Sequence, residues 1–439
     1  MNRKLTLLWF ILGLGSKLQV IASLSITEMI VLASAPFIFF KNYKNMKRDG
    51  IIPFFALSLL VIAGCIIASI ANHTSSQYIL RGLAVTSIVT CSIIFSHWIL
   101  RKDPGGFKWF ILALPLSAII STFYFKASVE MSMLGESASE IMSGPTYWIK
   151  RLTPLVLAPT KGWYLQTPWA VNVFAPLSMA AFAILTSVSG RASALNAIAF
   201  AVFVIIGGKS RRSINRISQH FFSLCVCGVV MIAVAYYAYK VSASQGWLGE
   251  DARKKYENQT HGGEGGVGRL LLGGRGESFI GLLACRDKPI VGWGPWAMDE
   301  CGYVEEFMMK YGTLEDVENL FKMNEWRMRY GITQMMLPCH AYITEFWAWY
   351  GVWGLVFWLY IIYVLLRYLR QDVAVVPQWF AWLACSIPGM FWGIFFSPFS
   401  NRVEIPLFVV ACLMARAVRR GRFQLPPVMI VEIEKAERR

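Results

Sequence analysis

Apolar runs of about twenty residues recur along this chain, from its first residues to the neighbourhood of residue 418. Each is long enough to cross a hydrocarbon core about 30 Å thick, because a helix rises about 1.5 Å per residue. Such a series excludes a cytosolic enzyme, a disordered chain and a protein with a single anchor. It also speaks against an outer-membrane barrel, whose strands alternate apolar and polar residues. The composition agrees. The chain is 56% hydrophobic and 15% charged, against roughly 45–50% and about 25% in soluble domains.

The apolar stretches lie at roughly 5–24, 26–41, 50–71, 78–98, 107–124, 168–187, 191–208, 218–238, 350–367, 376–396 and 403–415. They predict an all-α, polytopic helical bundle of about 11–12 spans. Charge in the breaks sets the orientation. Lys41, Lys44, Lys47 and Arg48 mark one break as cytoplasmic, as do Arg101, Lys102 and Lys108. Lys209, Arg211, Arg212 and Arg216, then Arg367 and Arg370, then Arg416, Arg419, Arg420 and Arg422 mark three more. The uncharged turn Asn72–Ser76 reads as external. This leaves 239–349 outside the cytoplasm as a long segment between late spans. The chain then divides into N-terminal spans (1–238), the external segment (239–349), C-terminal spans (350–418) and a cytoplasmic tail (419–439). Parity fails by one crossing between 125 and 190. Either 144–164 conceals a proline-broken span, or 168–187 is a re-entrant hairpin; twelve crossings are favoured.

The net charge of +16 comes from 42 Lys and Arg against 26 Asp and Glu. Its placement in short loops beside apolar runs points to anionic membrane lipid, not nucleic acid. Neither the nine cysteines nor the five histidines form a cluster with metal-ligand spacing, so no metal and no cofactor is expected. The chain carries no P-loop or dinucleotide fingerprint.

Three features stand out on the external side. His340, in Leu337-Pro338-Cys339-His340-Ala341-Tyr342, precedes an apolar helix, and imidazole is suited to taking a proton from a hydroxyl near neutral pH. Arg191 sits between two apolar runs at the external face, against the basic-loop trend, and a guanidinium there invites an anion such as a lipid diphosphate. Arg269 and Arg275 lie among glycines that permit close approach to a ligand, followed by the turn Pro289-Ile290-Val291-Gly292-Trp293-Gly294-Pro295. Trp293 and its external aromatic neighbours suit carbohydrate faces or a membrane interface. Of the external cysteines, Cys285 and Cys301 are the expected disulfide pair in an oxidising compartment.

Together these stretches resemble the O-antigen ligase and O-antigen polymerase family of integral-membrane glycosyltransferases, which is related to the bacterial protein O-oligosaccharyltransferases. Ser189-Gly190-Arg191, Gly274-Arg275 with Asp287–Gly294, and His340-Ala341-Tyr342-Ile343 with Gly351-Val352-Trp353-Gly354-Leu355 carry the resemblance. Ala341 replaces the Asn that commonly follows the family's histidine. The resemblance implies a metal-independent enzyme of the bacterial inner membrane with its site facing the periplasm. Its donor would be a glycan linked to undecaprenyl diphosphate. Arg191 and Arg275 would hold the diphosphate, and His340 would activate or orient the acceptor hydroxyl. Arg269, Gly292, Trp293, Gly294 and Tyr342 are the expected substrate-binding residues. The acceptor is left open: lipid A–core for a ligase, a second lipid-linked glycan for a polymerase, or a protein hydroxyl. A rival from another class is a transporter of polysaccharide or lipid-linked saccharide.

Overall fold

The computed structural model describes residues 3–16, 18–21, 24–125, scattered positions between 219 and 257, 267–311, 336–373, 375–397, 399 and 402–426. Arg191, the cytoplasmic loop expected at 209–216 and the parity question at 125–190 lie outside the described residues.

The described chain is helical apart from a small hairpin, β1 (Gln19–Ile21) paired antiparallel with β2 (Leu24–Ser25). The helices are α1 (Arg3–Gly15), α2 (Ile26–Asp49), α3 (Ile52–Ala71), α4 (Ser76–Lys102) and α5 (Phe107–Phe125), then α6 (Val267–Asp287), α7 (Tyr303–Tyr311) and α8 (Tyr342–Tyr350). They end with α9 (Val352–Arg367), running on as a wider turn over Tyr368–Asp372, α10 (Pro377–Phe396) and α11 (Glu404–Arg419). Three of them are long and apolar enough to cross a membrane: Ile52–Ala71, Ser76–Lys102 and Val352–Asp372. An all-α fold with such helices fits a multi-pass membrane protein.

The expected first span, 5–24, is corrected. Its helix stops at Gly15, and thirteen residues reach only about 20 Å. The chain then turns through the hairpin, and Ser25 starts α2 with a capping box. The Ser25 hydroxyl accepts from the Glu28 N–H at 3.3 Å, and the Glu28 carboxylate accepts from the Ser25 N–H at 2.7 Å. At its other end α2 closes on Gly50, whose left-handed φ of 80° turns its N–H back to Met46 and Lys47.

Helix α4 is the central element. Its apolar window is 72% buried, against 39% for α3 and 44% for α9. Lipid is as apolar as the side chains, so helices associate through close packing. Small residues allow it: Gly64 of α3 lies against Tyr350 and Trp353, and Gly82 of α4 against Pro295. Thr86 and Thr90 turn their hydroxyls back to the carbonyls of Gly82 and Thr86, at 3.0 and 2.9 Å, so neither is left unsatisfied.

The two ends of the bundle differ in chemistry. At one end Asp49 meets His97 at 2.9 Å and also Arg101, while Asn42 holds the second ring nitrogen of His97 at 2.7 Å. Arg101 also lies over the Phe423 ring, and Arg419 pairs with Asp372 at 2.7 Å. At the other end the α3–α4 turn carries no charge. Its Asn72 donates to the Gly292 carbonyl at 2.9 Å and accepts from Lys288. The basic breaks at 41–48, 101–108, 367–370 and 416–422 thus share one end of α3, α4 and α9, and the uncharged turn shares the other with residues 288–296.

Candidate functional site

Helix α8 organises the region around His340. Its last carbonyls would be orphans, and the chain at 288–298 supplies donors for them. Trp293 N–H reaches Ala348 O at 2.6 Å, and Gly294 N–H reaches Trp349 O at 3.1 Å. Val352 N–H returns to Ile290 O at 3.0 Å, and the Trp347 indole donates to Pro289 O at 2.9 Å. This threading needs glycine. Gly292 (φ 80°) lies against the backbone of Ala348, Trp349 and Gly351, and a methyl on Gly351 (φ 66°) would overlap the Ile290 carbonyl. Two residues with side chains are also held at positive φ here, His73 (49°) and Trp296 (53°). Trp296 keeps that conformation while packed on Trp349, ring centroids 4.6 Å apart. Strain of this kind persists only where surrounding contacts over-determine it.

Helix α6 runs beside α8 and brings its own residues to His340. Gly281 faces Pro338, Cys339 and Thr344, and the Cys285 thiol lies 3.7 Å from the Thr344 carbonyl. Lower on α6, Glu277 Oε2 stands 2.9 Å from His340 Nδ1, with the His340 side chain 45% and the Glu277 side chain 52% exposed. The contact is an ion-pair approach that is not aligned along the ring N–H, and Nδ1 itself is shielded from water. The exposed part of the ring is therefore the edge away from Glu277. A carboxylate behind one ring nitrogen and an accessible opposite edge is the layout that lets an imidazole take a proton and be stabilised as it does so.

Arg269 and Arg275 lie in the first half of α6, Arg275 two residues before Glu277. Trp293 has its indole N–H on Ala284 O at 2.8 Å, Lys288 over its ring at 3.7 Å and Tyr303 against its edge. Gly292 and Gly294 serve the turn that caps α8. Tyr342 is buried against Trp358 and Phe399, under Gly393. Of the residues expected at the site, then, the structure joins His340 to the helix of Arg269 and Arg275. It sets Trp293, Gly292, Gly294 and Tyr342 in the packing that holds this pair of helices.

Two carboxylates escaped the sequence reading. Glu277 follows Gly274-Arg275-Gly276 directly, and that adjacency was the available signal. Glu345 is the one acid in the apolar run 342–350, and a lone acid in such a run is costly unless it has a role. It is buried and accepts the Phe399 N–H at 2.9 Å, tying α8 to the α10–α11 connection. Burial pushes its carboxyl up to about 8, against the lowering effects of that N–H and of Arg402.

The expected Cys285–Cys301 disulfide is not formed. Cys285 turns into the α6–α8 seam, while Cys301 is exposed. Beyond α6, Tyr303 O–H donates to Asp287 at 2.6 Å, and Arg286, then Tyr303, hold that carboxyl below its usual range. Among the described residues no three His, Cys, Asp or Glu side chains gather as a metal site.

No protein-family profile matches the chain, and no curated protein and no solved structure matches it.

Proposed function

We propose that the protein transfers a glycan from undecaprenyl diphosphate to an acceptor hydroxyl at the periplasmic face of the bacterial inner membrane, as an O-antigen ligase or polymerase. The observation that carries this reading is the His340–Glu277 pair, which joins His340 to the helix that carries Arg275. In the proposed reaction His340 takes the proton of the acceptor hydroxyl as its oxygen attacks the anomeric carbon. The new glycosidic bond forms while the bond to the diphosphate oxygen breaks, and undecaprenyl diphosphate leaves with the electron pair. Glu277 offsets the charge gained by the imidazole. Arg191 and Arg275 stabilise the departing diphosphate by charge-assisted hydrogen bonds. The leaving group is already good, so positioning and charge stabilisation are the main tasks of the protein.

The test is a reaction of the purified protein with lipid-linked donor, given separately no acceptor, lipid A–core, or an acceptor protein. A ladder from donor alone identifies a polymerase, and transfer to lipid A–core alone a ligase. Transfer only to the polypeptide identifies a protein O-oligosaccharyltransferase. No glycan transfer in any arm, with the donor intact, refutes the proposal.

A further inference from the structure

Arginines gather where α9 and α11 end, far from His340. Arg419 pairs with the buried Asp372 at 2.7 Å and donates to Gln371 at 3.2 Å. Asp372 lies within electrostatic reach of Arg367, Arg416 and Arg420 as well. Arg420 in turn is pressed by Arg416, Arg422, Arg367 and Arg419, which together hold its pKa down. One carboxylate therefore faces four guanidiniums, with Arg422 alongside. Arg367 gives one N–H to the Tyr363 hydroxyl at 2.8 Å. The Nε atoms of Arg367 and Arg416 are shielded from water and meet no acceptor among the described residues. Guanidiniums so crowded, with one carboxylate among them, favour an anionic partner.

The surface leading to it is apolar. Val356, Leu359, Tyr363 and Leu366 are exposed along α9, and their spacing of three, four and three residues puts them on one helix face. The stripe runs directly into Arg367. Residues 405–415 of α11 are buried, so the open side belongs to α9. An apolar stripe ending in convergent guanidiniums matches an amphiphile with acyl chains and a phosphate headgroup.

We propose that the ends of α9 and α11 form a binding site for an anionic glycerophospholipid, its acyl chains along Val356–Leu366 and its phosphate on Arg367, Arg416 and Arg420. Guanidinium forks suit phosphate oxygens, and the neighbouring arginines repel one another less once a phosphate sits among them. The site does not depend on glycan transfer, and the lipid serves as a structural ligand there.

The experiment uses the full chain in detergent, with native mass spectrometry and thermal unfolding as readouts. Phosphatidylglycerol and phosphatidylcholine of matched chains are titrated separately, with inorganic phosphate as the soluble anion. Expected are retained phosphatidylglycerol adducts and a raised Tm with that lipid alone. Arg367→Gln with Arg420→Gln should weaken retention about fivefold per arginine. Arg420→Gln with Arg422→Gln, both exposed, repeats the test where folding is not at stake, and Lys44→Gln should leave retention unchanged. Equal effects of the two lipids would overturn the proposal. So would an equal Tm rise with inorganic phosphate, which would mean a free-anion site. Phosphatidylglycerol retention only after deletion of residues 427–439, which carry Glu432, Glu434 and Glu437, would make that segment the occupant instead.

Discussion

At His340 the chemistry depends on what stands behind the ring. Glu277 approaches Nδ1 without a straight hydrogen bond, so its contribution is charge stabilisation that grows as the imidazole gains a proton. Glu277→Gln keeps the shape and removes the charge. Turnover should fall about 10- to 100-fold with donor affinity preserved, a part of what a general base contributes, read from kcat and KM of transfer. The cysteines give a test that does not involve activity. Burial raises the thiol pKa of Cys285 to about 12 and holds that of Cys339 well above its ordinary value, and the thiolate is the reactive form. Neutral alkylation of the folded protein should therefore modify Cys301 and spare Cys285 and Cys339 until unfolding, as read by peptide mass spectrometry. His340 was legible because a histidine at the head of an apolar helix is chemically conspicuous. Glu277 was not, because its partner lies 63 positions along the chain and only the packing of α6 on α8 brings them together.

Among the elements, the apolar stretches at 50–71, 78–98 and 350–367 correspond to α3, α4 and α9, whose length and hydropathy suit a crossing, and those at 107–124 and 376–396 to the helices α5 and α10. Helix α6 was hidden. Gly268, Gly273, Gly274, Gly276 and Gly281 lower its helix propensity, so its sequence reads as a loop, and contact with α8 overrides that preference. The glycines that matter most are those of the α8 cap. Gly351→Ala combines a left-handed φ with overlap on Ile290, and should lower stability by more than 2 kcal/mol, roughly the sum of strain and a forced backbone shift. Gly50→Ala has the strain and open space around it, so it should cost only about 1 kcal/mol. Thermal unfolding in detergent separates the two. Glu345 gives α8 a pH dependence. Its folded pKa of about 8 exceeds the unfolded value, near 4.3, so the folded state holds more protons. Stability should decline as pH rises from about 4.5 through 8, and Glu345→Gln should remove that slope.

The whole molecule should be sided. The basic breaks share one end of the bundle, and the uncharged α3–α4 turn meets residues 288–296 at the other. Glu300→Cys and Arg422→Cys, each in a background without reactive native cysteines, should react oppositely with an impermeant maleimide. In spheroplasts Glu300→Cys should label at once and Arg422→Cys only after permeabilisation. The reverse order would place His340 in the cytoplasm. The most direct test of the central claim is a single-turnover reaction of purified wild type and His340→Ala with a lipid-linked glycan donor and the acceptor the wild type uses. Release of undecaprenyl diphosphate and appearance of the new glycoside are followed together, with donor binding measured alongside. His340→Ala should bind donor normally and transfer about 100- to 10 000-fold more slowly. Transfer at the wild-type rate by His340→Ala would contradict it.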